Sequence, residues 1–339
     1  MNHMNTATQL LREFEIPLDI AVQRAVCDFL GISDDDVITV PNKEKYYRPE
    51  NSPEAHEELR EVFNLMRQLN VQGVTGDALC RSERGGSSFI ETLHGALADL
   101  VEQLPDGHLR YVELGPEPIK TIEIMRSLLD AGVVIDSYTA VDINPASSAI
   151  MHEAVSKLLP VDKIDFITAD YLNLDSLSFG VGDAPVLATM LGFQEGNESP
   201  YRMAQFFRRV LSQGDVLLAE MQLLPTADWR AIFEFYSNDL MRRFSKIGFQ
   251  RIFGEIESEY GVVLVPVPLE ICGSGFVAVT TERIRASGEL KDKIFISNYC
   301  IKYTLGDFRR IRGFDGTFRI ISQRVTGDGS VGFQLAERR

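Results

Sequence analysis

The sequence predicts an α/β protein built on a mostly parallel, Rossmann-like sheet, and three observations carry that expectation. A strand, loop, helix, strand unit occupies residues 109 to 142. Strand and helix patterns then alternate to about residue 228, the pattern of right-handed crossovers in a sheet covered on both faces. The chain closes with a helix and a hairpin that would add an antiparallel pair to the sheet.

The first unit reads LRYVELGPEPIKTIEIMRSLLDAGVVIDSYTAVD. Leu109 to Leu114 is a short apolar run with Glu113 near its end, Gly115 to Pro118 is a turn cluster, and Thr121 to Leu129 has helical apolar spacing. A second strand, Ser137 to Val141, ends at Asp142. Open α/β sheets bind ligands at the carboxyl ends of their strands. Gly115 lets the backbone come close to such a ligand, and an acid closing the second strand accepts hydrogen bonds from both hydroxyls of a ribose. The expected ligand is therefore adenosine-like; the competing reading makes Glu113 and Asp142 plain solvated acids at strand ends. Pro116 and Pro118 replace most of a Gly-x-Gly-x-x-Gly loop, so a dinucleotide pyrophosphate has a poor seat. Pro118 suits a helix's first turn. A ligand without phosphates, such as S-adenosylmethionine, fits better.

At 339 residues the chain suggests two domains, and 45% hydrophobic with 24% charged residues describes an ordinary globular protein. The formal net charge of −15 opposes phosphate backbones, so nucleic acid is not the expected partner; such a charge would draw a small cationic molecule, although plain solubility is the commoner reason for it. No apolar run approaches a membrane span, and the N-terminal residues lack a signal-peptide core, so a cytoplasmic protein without a membrane partner is expected. Cys27, Cys80, Cys272 and Cys300 are scattered without metal-ligand spacing, the pattern of reduced thiols and not of a zinc site or disulfide framework.

Residues 1 to 105 read as mostly helical, with segments at Thr6 to Phe14, Leu18 to Leu30, Pro53 to Leu69 and Ser88 to Leu104, and Ser52 as a cap before Pro53. This region would serve as part of a substrate cap or as the contact of a homodimer. Tyr46, Tyr47 and Arg48 lie in a polar loop between these segments and could fold over a site. After Asp142 come a helix ending before Pro160, a third strand that leaves Asp170 and Tyr171 at its tip, and a fourth strand breaking into the loop LGFQEGN, which holds Gly192. Asp170 could bond an adenine amino group while the Tyr171 ring packs on the base. A helix and a fifth strand follow. Trp229 to Phe244 reads as an amphipathic helix, and residues 249 to 302 as strands joined by short turns. The expected units are thus 1–105, a ligand-binding domain of 106–228 with 303–339, and an inserted substrate-binding subdomain of 229–302.

Four segments together support a named resemblance. ELGPEPIKT resembles the Glu-Leu-Gly-x-Gly-x-x-x-Lys-Thr loop of the ergothioneine-pathway, histidine-specific methyltransferases. TADY resembles that family's Gly-Asp-Phe strand end, LGFQEGN its Leu-Gly-x-x-x-Gly-Asn loop, and SNYCIKY its Thr-Glu-x-Ser-x-Lys-Phe/Tyr segment. They occur in the family's order, across about residues 109 to 339. The resemblance implies a class I S-adenosylmethionine-dependent methyltransferase that N-methylates a free amino acid. It implies that Glu113, Gly115, Lys120, Asp142, Asp170, Tyr171 and Gly192 hold the cofactor, and that Tyr47, Asn197, Tyr236, Asn298 and Cys300 meet the substrate. Asn197 has its own case, since an amide at the mouth of the fourth strand offers a donor and an acceptor to a zwitterion.

The chain departs from the family where a Glu and a Ser would face an imidazole, for here stand Asn298 and Cys300. The expected substrate is therefore the guanidine of L-arginine, with another amine such as histidine or a tryptophan derivative as the alternative. A non-catalytic S-adenosylmethionine-binding scaffold is the alternative of another class. Methyl transfer needs alignment of a lone pair with an activated methyl, and a protonated nitrogen must first lose a proton to a carboxylate. Glu195 and Glu220 are the catalytic candidates, each at the carboxyl side of a strand.

Overall fold

The computed structural model describes residues 16–41, 53–76, 79–80, 86–104, 106–175, 179, 182–224 and 229–339. Helix α1 (Leu18–Leu30) ends at Gly31, whose φ of 66° provides the left-handed cap, and is followed by a short strand β1 (Val37–Thr39). Two further helices, α2 (Pro53–Thr75) and α3 (Phe89–Val101), complete the N-terminal region. Ser88 starts α3 with a reciprocal box: its hydroxyl accepts from Glu91 N while the Glu91 carboxylate accepts from Ser88 N.

The central unit runs β2 (His108–Leu114), α4 (Pro118–Asp130), β3 (Val134–Asp142), α5 (Ser147–Val155), β4 (Ile164–Thr168), β5 (Val186–Met190), α6 (Pro200–Val210) and β6 (Val216–Gln222). The chain then forms α7 (Arg230–Tyr236), α8 (Asp239–Phe253), β7 (Ser258–Leu269), β8 (Gly273–Ile284) and β9 (Ile294–Lys302). It closes with α9 (Leu305–Gly313), β10 (Phe318–Val325) and β11 (Val331–Arg338).

Seven strands make the main sheet in the order β4-β3-β2-β5-β6-β11-β10. Neighbours from β4 to β6 are parallel, and β11 runs antiparallel to both β6 and β10. This is the class I methyltransferase arrangement, a Rossmann-like sheet ended by an antiparallel pair. Its inner strands β5 and β6 are buried on both faces, so they read as apolar runs. Tyr111 packs on the side of α2, α3, α4 and α5, while its neighbour Val112 packs on the side of α1, α6 and α9. The order of strands reverses between β2 and β5, and that switch point opens a crevice at their carboxyl ends.

The segment between β6 and α9 leaves and rejoins the sheet at one place. Leu224 N donates to Tyr303 O at 2.8 Å, and Leu223 bridges Tyr303. Within it β7, β8 and β9 form an antiparallel sheet, as expected. Three details differ from the sequence reading. Residues 249–253 continue α8 instead of starting a strand, because Phe249 faces Ile284 and Phe295 in a small core of its own. The single helix expected over Trp229 to Phe244 is two helices, broken where the Asn238 side chain accepts from Met241 N and restarts the ladder. The mostly helical N-terminal region contributes β1, which pairs parallel with β9 and makes the inserted sheet four-stranded. The Thr6 to Phe14 segment, Ser52, and Tyr46 to Arg48 lie outside the described residues.

The insert docks on the loop that follows β5. A Cβ added at Gly196 would lie 2.8 Å from the Ile301 carbonyl oxygen, 2.7 Å from Cys300 Sγ and 3.0 Å from Met221 Cε. The carbonyl belongs to β9 and cannot swing aside as a side chain would. Gly196→Ala should therefore cost about 1–3 kcal/mol of overpacking, read as a lower midpoint in urea unfolding; an unchanged midpoint would mean that β9 does not approach this loop closely.

Candidate active site

A cavity of about 390 Å³ opens at the carboxyl ends of β2, β3, β4 and β5, within the range of about 300–1,000 Å³ usual for small-molecule sites. Gly115, with φ of 69°, carries the chain out of β2, and its N–H donates to Val141 O at 2.8 Å. The Gln194 amide lies across it: Nε2 donates to Gly115 O at 3.0 Å, and a Cβ at Gly115 would fall 1.8 Å from that nitrogen. The left-handed turn thus favours glycine here, and a side chain would also have to displace the Gln194 amide.

Glu117 then caps α4. Its carboxylate accepts from Ile119 N at 3.1 Å and from Lys120 N at 3.0 Å, with Pro118 in the first turn. This is the position where a helix N-terminus would receive a phosphate. Here the protein's own carboxylate fills it, and burial pushes the Glu117 pKa up.

Asp142 lines the cavity at the end of β3 and accepts from Asn144 N at 2.9 Å. Burial raises its carboxyl to about 6, against the opposing pull of that hydrogen bond. Asn144 in turn donates its Nδ2 to Leu59 O at 2.8 Å, fastening this loop to α2. Asp170 and Tyr171 both reach the cavity; the Asp170 side chain accepts from Leu172 N at 3.0 Å, and the Tyr171 ring packs 5.4 Å from that of Phe206. Gly192 and Asn197 complete this part of the lining.

A second cavity, of about 110 Å³, adjoins the first between the sheet, the insert, α2 and α3. Asn70, Lys120, Gly192 and Asn197 line both. Its walls are largely apolar, among them Met66, Phe89, Phe235, Met241 and Phe244, and its polar groups include Glu220, Tyr236, Asn298 and Cys300. The Glu220 carboxylate accepts from Lys120 Nζ at 2.6 and 2.8 Å, both side chains being buried. Tyr236 accepts from Lys302 Nζ at 2.8 Å, and burial lowers the pKa of that lysine. Cys300 Sγ donates to Phe193 O at 3.5 Å.

The structure thus gathers Gly115, Asp142, Asp170, Tyr171 and Gly192 around one cavity, and Tyr236, Asn298, Cys300 and Glu220 around its neighbour, with Asn197 between them. Two expected placements, Glu113 and Glu195, are corrected. Glu113 is not a cavity residue: it is buried beneath the loop, accepts from Thr121 Oγ1 at 2.6 Å and Tyr138 OH at 2.8 Å, and desolvation pushes it up to about 7. Lys120 reaches the boundary of the two cavities, but its ammonium is held by Glu220. Glu195 lines neither cavity, because its side chain turns to the opposite side and pairs with Arg312 at 2.6 Å, both groups being 2% exposed. Tyr47 lies outside the described residues.

Glu117, Gln194 and Asn70 were not anticipated. Glu117 had a readable signal, an acid directly before a helix-initiating proline. Gln194 and Asn70 had none: Gln194 meets Gly115 only through the tertiary fold, and Asn70 bonds Met66 O within its own helix, so that only the packing of that helix puts it at the cavities.

No family model matches the chain, and no curated protein does. Similar solved structures include the CcbJ methyltransferase from Streptomyces caelestis, 12% identical over 72% of this chain and 89% of that one, with a TM-score of 0.37. The PH0226 protein from Pyrococcus horikoshii OT3 is 14% identical over 72% and 89%, at 0.40. The CMeT domain of the citrinin polyketide synthase is 14% identical over 74% of this chain and 52% of that one, at 0.44. Scores and identities this low carry no functional conclusion.

Arg312→Ala would leave the Glu195 carboxylate buried without its guanidinium, so a loss of about 3–5 kcal/mol is expected in denaturant unfolding. A change in turnover with undiminished stability would instead place Glu195 in the chemistry.

Proposed function

We propose that the protein transfers a methyl group from S-adenosylmethionine to a nitrogen of a free amino acid or similar small amine. The observation that carries this reading is the pairing of two adjoining cavities at the switch point: one lined by Asp142, Asp170 and Tyr171, the other by Glu220 and Asn298, with Asn197 common to both.

The first cavity fits an adenosine-bearing cation without phosphates. Asp142 would accept from the ribose hydroxyls, Asp170 from the adenine amino group, and Tyr171 would pack on the base. Glu117 already satisfies the α4 N-terminus, which leaves no seat for a pyrophosphate and puts a negative charge in the cavity wall. S-adenosylmethionine supplies, when bound, a methyl already activated by a sulfonium.

What remains for the protein is to hold a nitrogen lone pair in line with that methyl. Asn197, at the junction, would grip the amino-acid head, while Tyr236, Asn298 and Cys300 would face the side chain. Glu220 is the carboxylate lining the second cavity, and it would take the proton that frees the lone pair, with Lys120 beside it. The guanidine of L-arginine is the substrate we favour, with histidine or a tryptophan derivative next. The support is chemical: a carboxylate for a basic side chain, apolar walls for its stem, and an amide where the resembling ergothioneine-pathway enzymes carry an acid.

A mass-spectrometric screen of the protein and S-adenosylmethionine against the standard amino acids and common biogenic amines tests this reading. A methylated amine is expected. Cofactor binding without turnover on any of them would point to a scaffold, and absence of cofactor binding would end the reading altogether.

Asp142→Ala should weaken S-adenosylhomocysteine binding by about 1–3 kcal/mol in calorimetry, the cost of leaving hydroxyls without their acceptor. The pH dependence follows from the same group. Its carboxyl is raised to about 6 in the protein, so it is ionised above that pH and protonated below it, while the ribose hydroxyls bind the ionised form. Affinity should be full near pH 8 and fall as the pH drops through 6. In Asp142→Ala this fall should be absent; an equal fall in both proteins would assign it to another group.

A further inference from the structure

Behind Asn298 runs a chain of side chains that leaves the second cavity and ends on a buried carboxylate. Asn298 Nδ2 is 3.3 Å from Thr280 Oγ1, Thr280 Oγ1 is 2.8 Å from Ser297 Oγ, and Ser297 Oγ is 2.6 Å from Ser245 Oγ. Ser245 Oγ then lies 2.7 Å from Glu282 Oε1, and Ser258 Oγ 2.7 Å from Glu282 Oε2. Thr280, Ser297, Ser245 and Glu282 are all buried. Lys246 Nζ donates to Ser258 Oγ at 3.0 Å, so Ser258 has its own hydrogen to give to Glu282.

Each hydroxyl has one hydrogen, and a carboxylate has none to give. Ser245 must therefore donate to Glu282. The 2.6 Å contact between the serines then needs the Ser297 hydrogen, although Ser297 also lies 3.0 Å from Thr280 O. The Thr280–Ser297 contact accordingly needs the Thr280 hydrogen. Thr280 is left only as an acceptor towards Asn298, which must donate with its amide nitrogen. Any reversed order leaves two oxygens in close contact with no hydrogen between them, at the cost of a buried unsatisfied pair.

We infer that Glu282, through Ser245, Ser297 and Thr280, fixes the Asn298 amide with its carbonyl oxygen presented to the second cavity, so that the site selects a substrate side chain that offers an N–H donor there. This rests on the substrate reading above and narrows it. A guanidinium, imidazole N–H or indole N–H satisfies such an acceptor; a carboxylate repels it, and a phenyl ring leaves it unpaired. Glu282, Ser245, Ser297 and Thr280 are positioning residues, with Asn298 the group that touches the substrate.

The test uses Asn298→Asp, which replaces the donor nitrogen by an oxygen of the same shape, and Ser297→Ala, which cuts the chain without changing any charge. Asn298→Asp alone should lower the melting temperature by roughly 2–10 °C, because Thr280 has no hydrogen to turn towards the new oxygen. In the Ser297→Ala background Thr280 is released from the chain and can donate, so the same exchange should cost less than half as much. Equal losses in the two backgrounds would overturn the fixed orientation, since a mere buried charge is penalised alike in both.

The second readout is turnover of S-adenosylmethionine with L-arginine, L-histidine, L-tryptophan, L-glutamate and L-phenylalanine. The parent protein should discriminate for the first three. Ser297→Ala, which lets the amide flip, should raise KM for them about three- to tenfold with S-adenosylhomocysteine affinity unchanged, and Ser297→Thr, which keeps the hydroxyl, should restore it. Preference for L-glutamate or L-phenylalanine in the parent protein would overturn the selection. If the melting series shows coupling but none of the five is methylated, the arginine, histidine and tryptophan readings fail, the selection fails with them, and the amide orientation stands.

Discussion

The site depends on a close approach of the β9 backbone to the loop after β5, which Gly196 permits, and on a left-handed turn at Gly115. Gln194 lies across Gly115, and two residues on, Gly196 meets the backbone of β9. One short segment after β5 therefore fastens the loop after β2 on one side and the inserted sheet on the other. Sub-ångström fit at such contacts is stiff, because interiors pack at crystal-like density. The consequence is positional: Gly192 and Asn197, at the two ends of that segment, lie at the boundary of both cavities.

The two buried ion pairs near this segment have different roles, although the sequence presents them alike. Glu195 and Glu220 both end up in low-dielectric surroundings, and each is matched by one cation. Glu195 turns away from the cavities to Arg312, which also donates from Nε to Gln334 Oε1 at 3.1 Å, so the pair ties the loop after β5 to α9 and β11. Glu220 faces the second cavity, where Lys120 reaches it from the first turn of α4. A buried pair contributes little net stability once desolvation is counted, so its location and what it touches matter more than its existence.

The inner sheet was legible because strands buried on both faces, as β5 and β6 are, leave apolar runs, while the edge strand β4, with Asp165 and Thr168 exposed, was marked by its place in the alternation of strands and helices. Asp142, Asp170 and Tyr171 were legible for a related reason: in such a sheet, residues just past a strand end have nowhere to go but the crevice. What was hidden had tertiary causes. β1 is three residues long and gains its partner nearly 260 positions away, at β9, so no local pattern marks it. The strand-like QRIF stays helical because Phe249 has a core to fill on the insert's helix side. Glu113 lies near the end of β2 and Glu195 in the loop after β5, yet both turn away from the cavities, Glu113 to the hydroxyls of Thr121 and Tyr138 and Glu195 to the Arg312 guanidinium.

The insert is tied to the rest of the chain at more than its hinge. It leaves the sheet at Leu224 and returns at Tyr303, a single crossing that could by itself allow an independent lid. Two further contacts argue against independence. β1 adds a strand to its sheet from the N-terminal side, and α2 packs on α8, where Arg243 meets Glu61 at 2.9 Å and Arg251 meets Glu58 at 3.7 Å. The exposed Arg243–Glu61 pair is weak in water, but the strand pairing is not a matter of charge. α2 also carries Leu59, whose carbonyl receives Asn144 beside Asp142, and Asn70, which lines both cavities. Any opening of the insert must therefore break the β1 pairing with β9 or carry β1 along, and must part α8 from α2 or carry that helix too. α2 is thus the one helix that touches the insert, both cavities and the loop bearing Asp142.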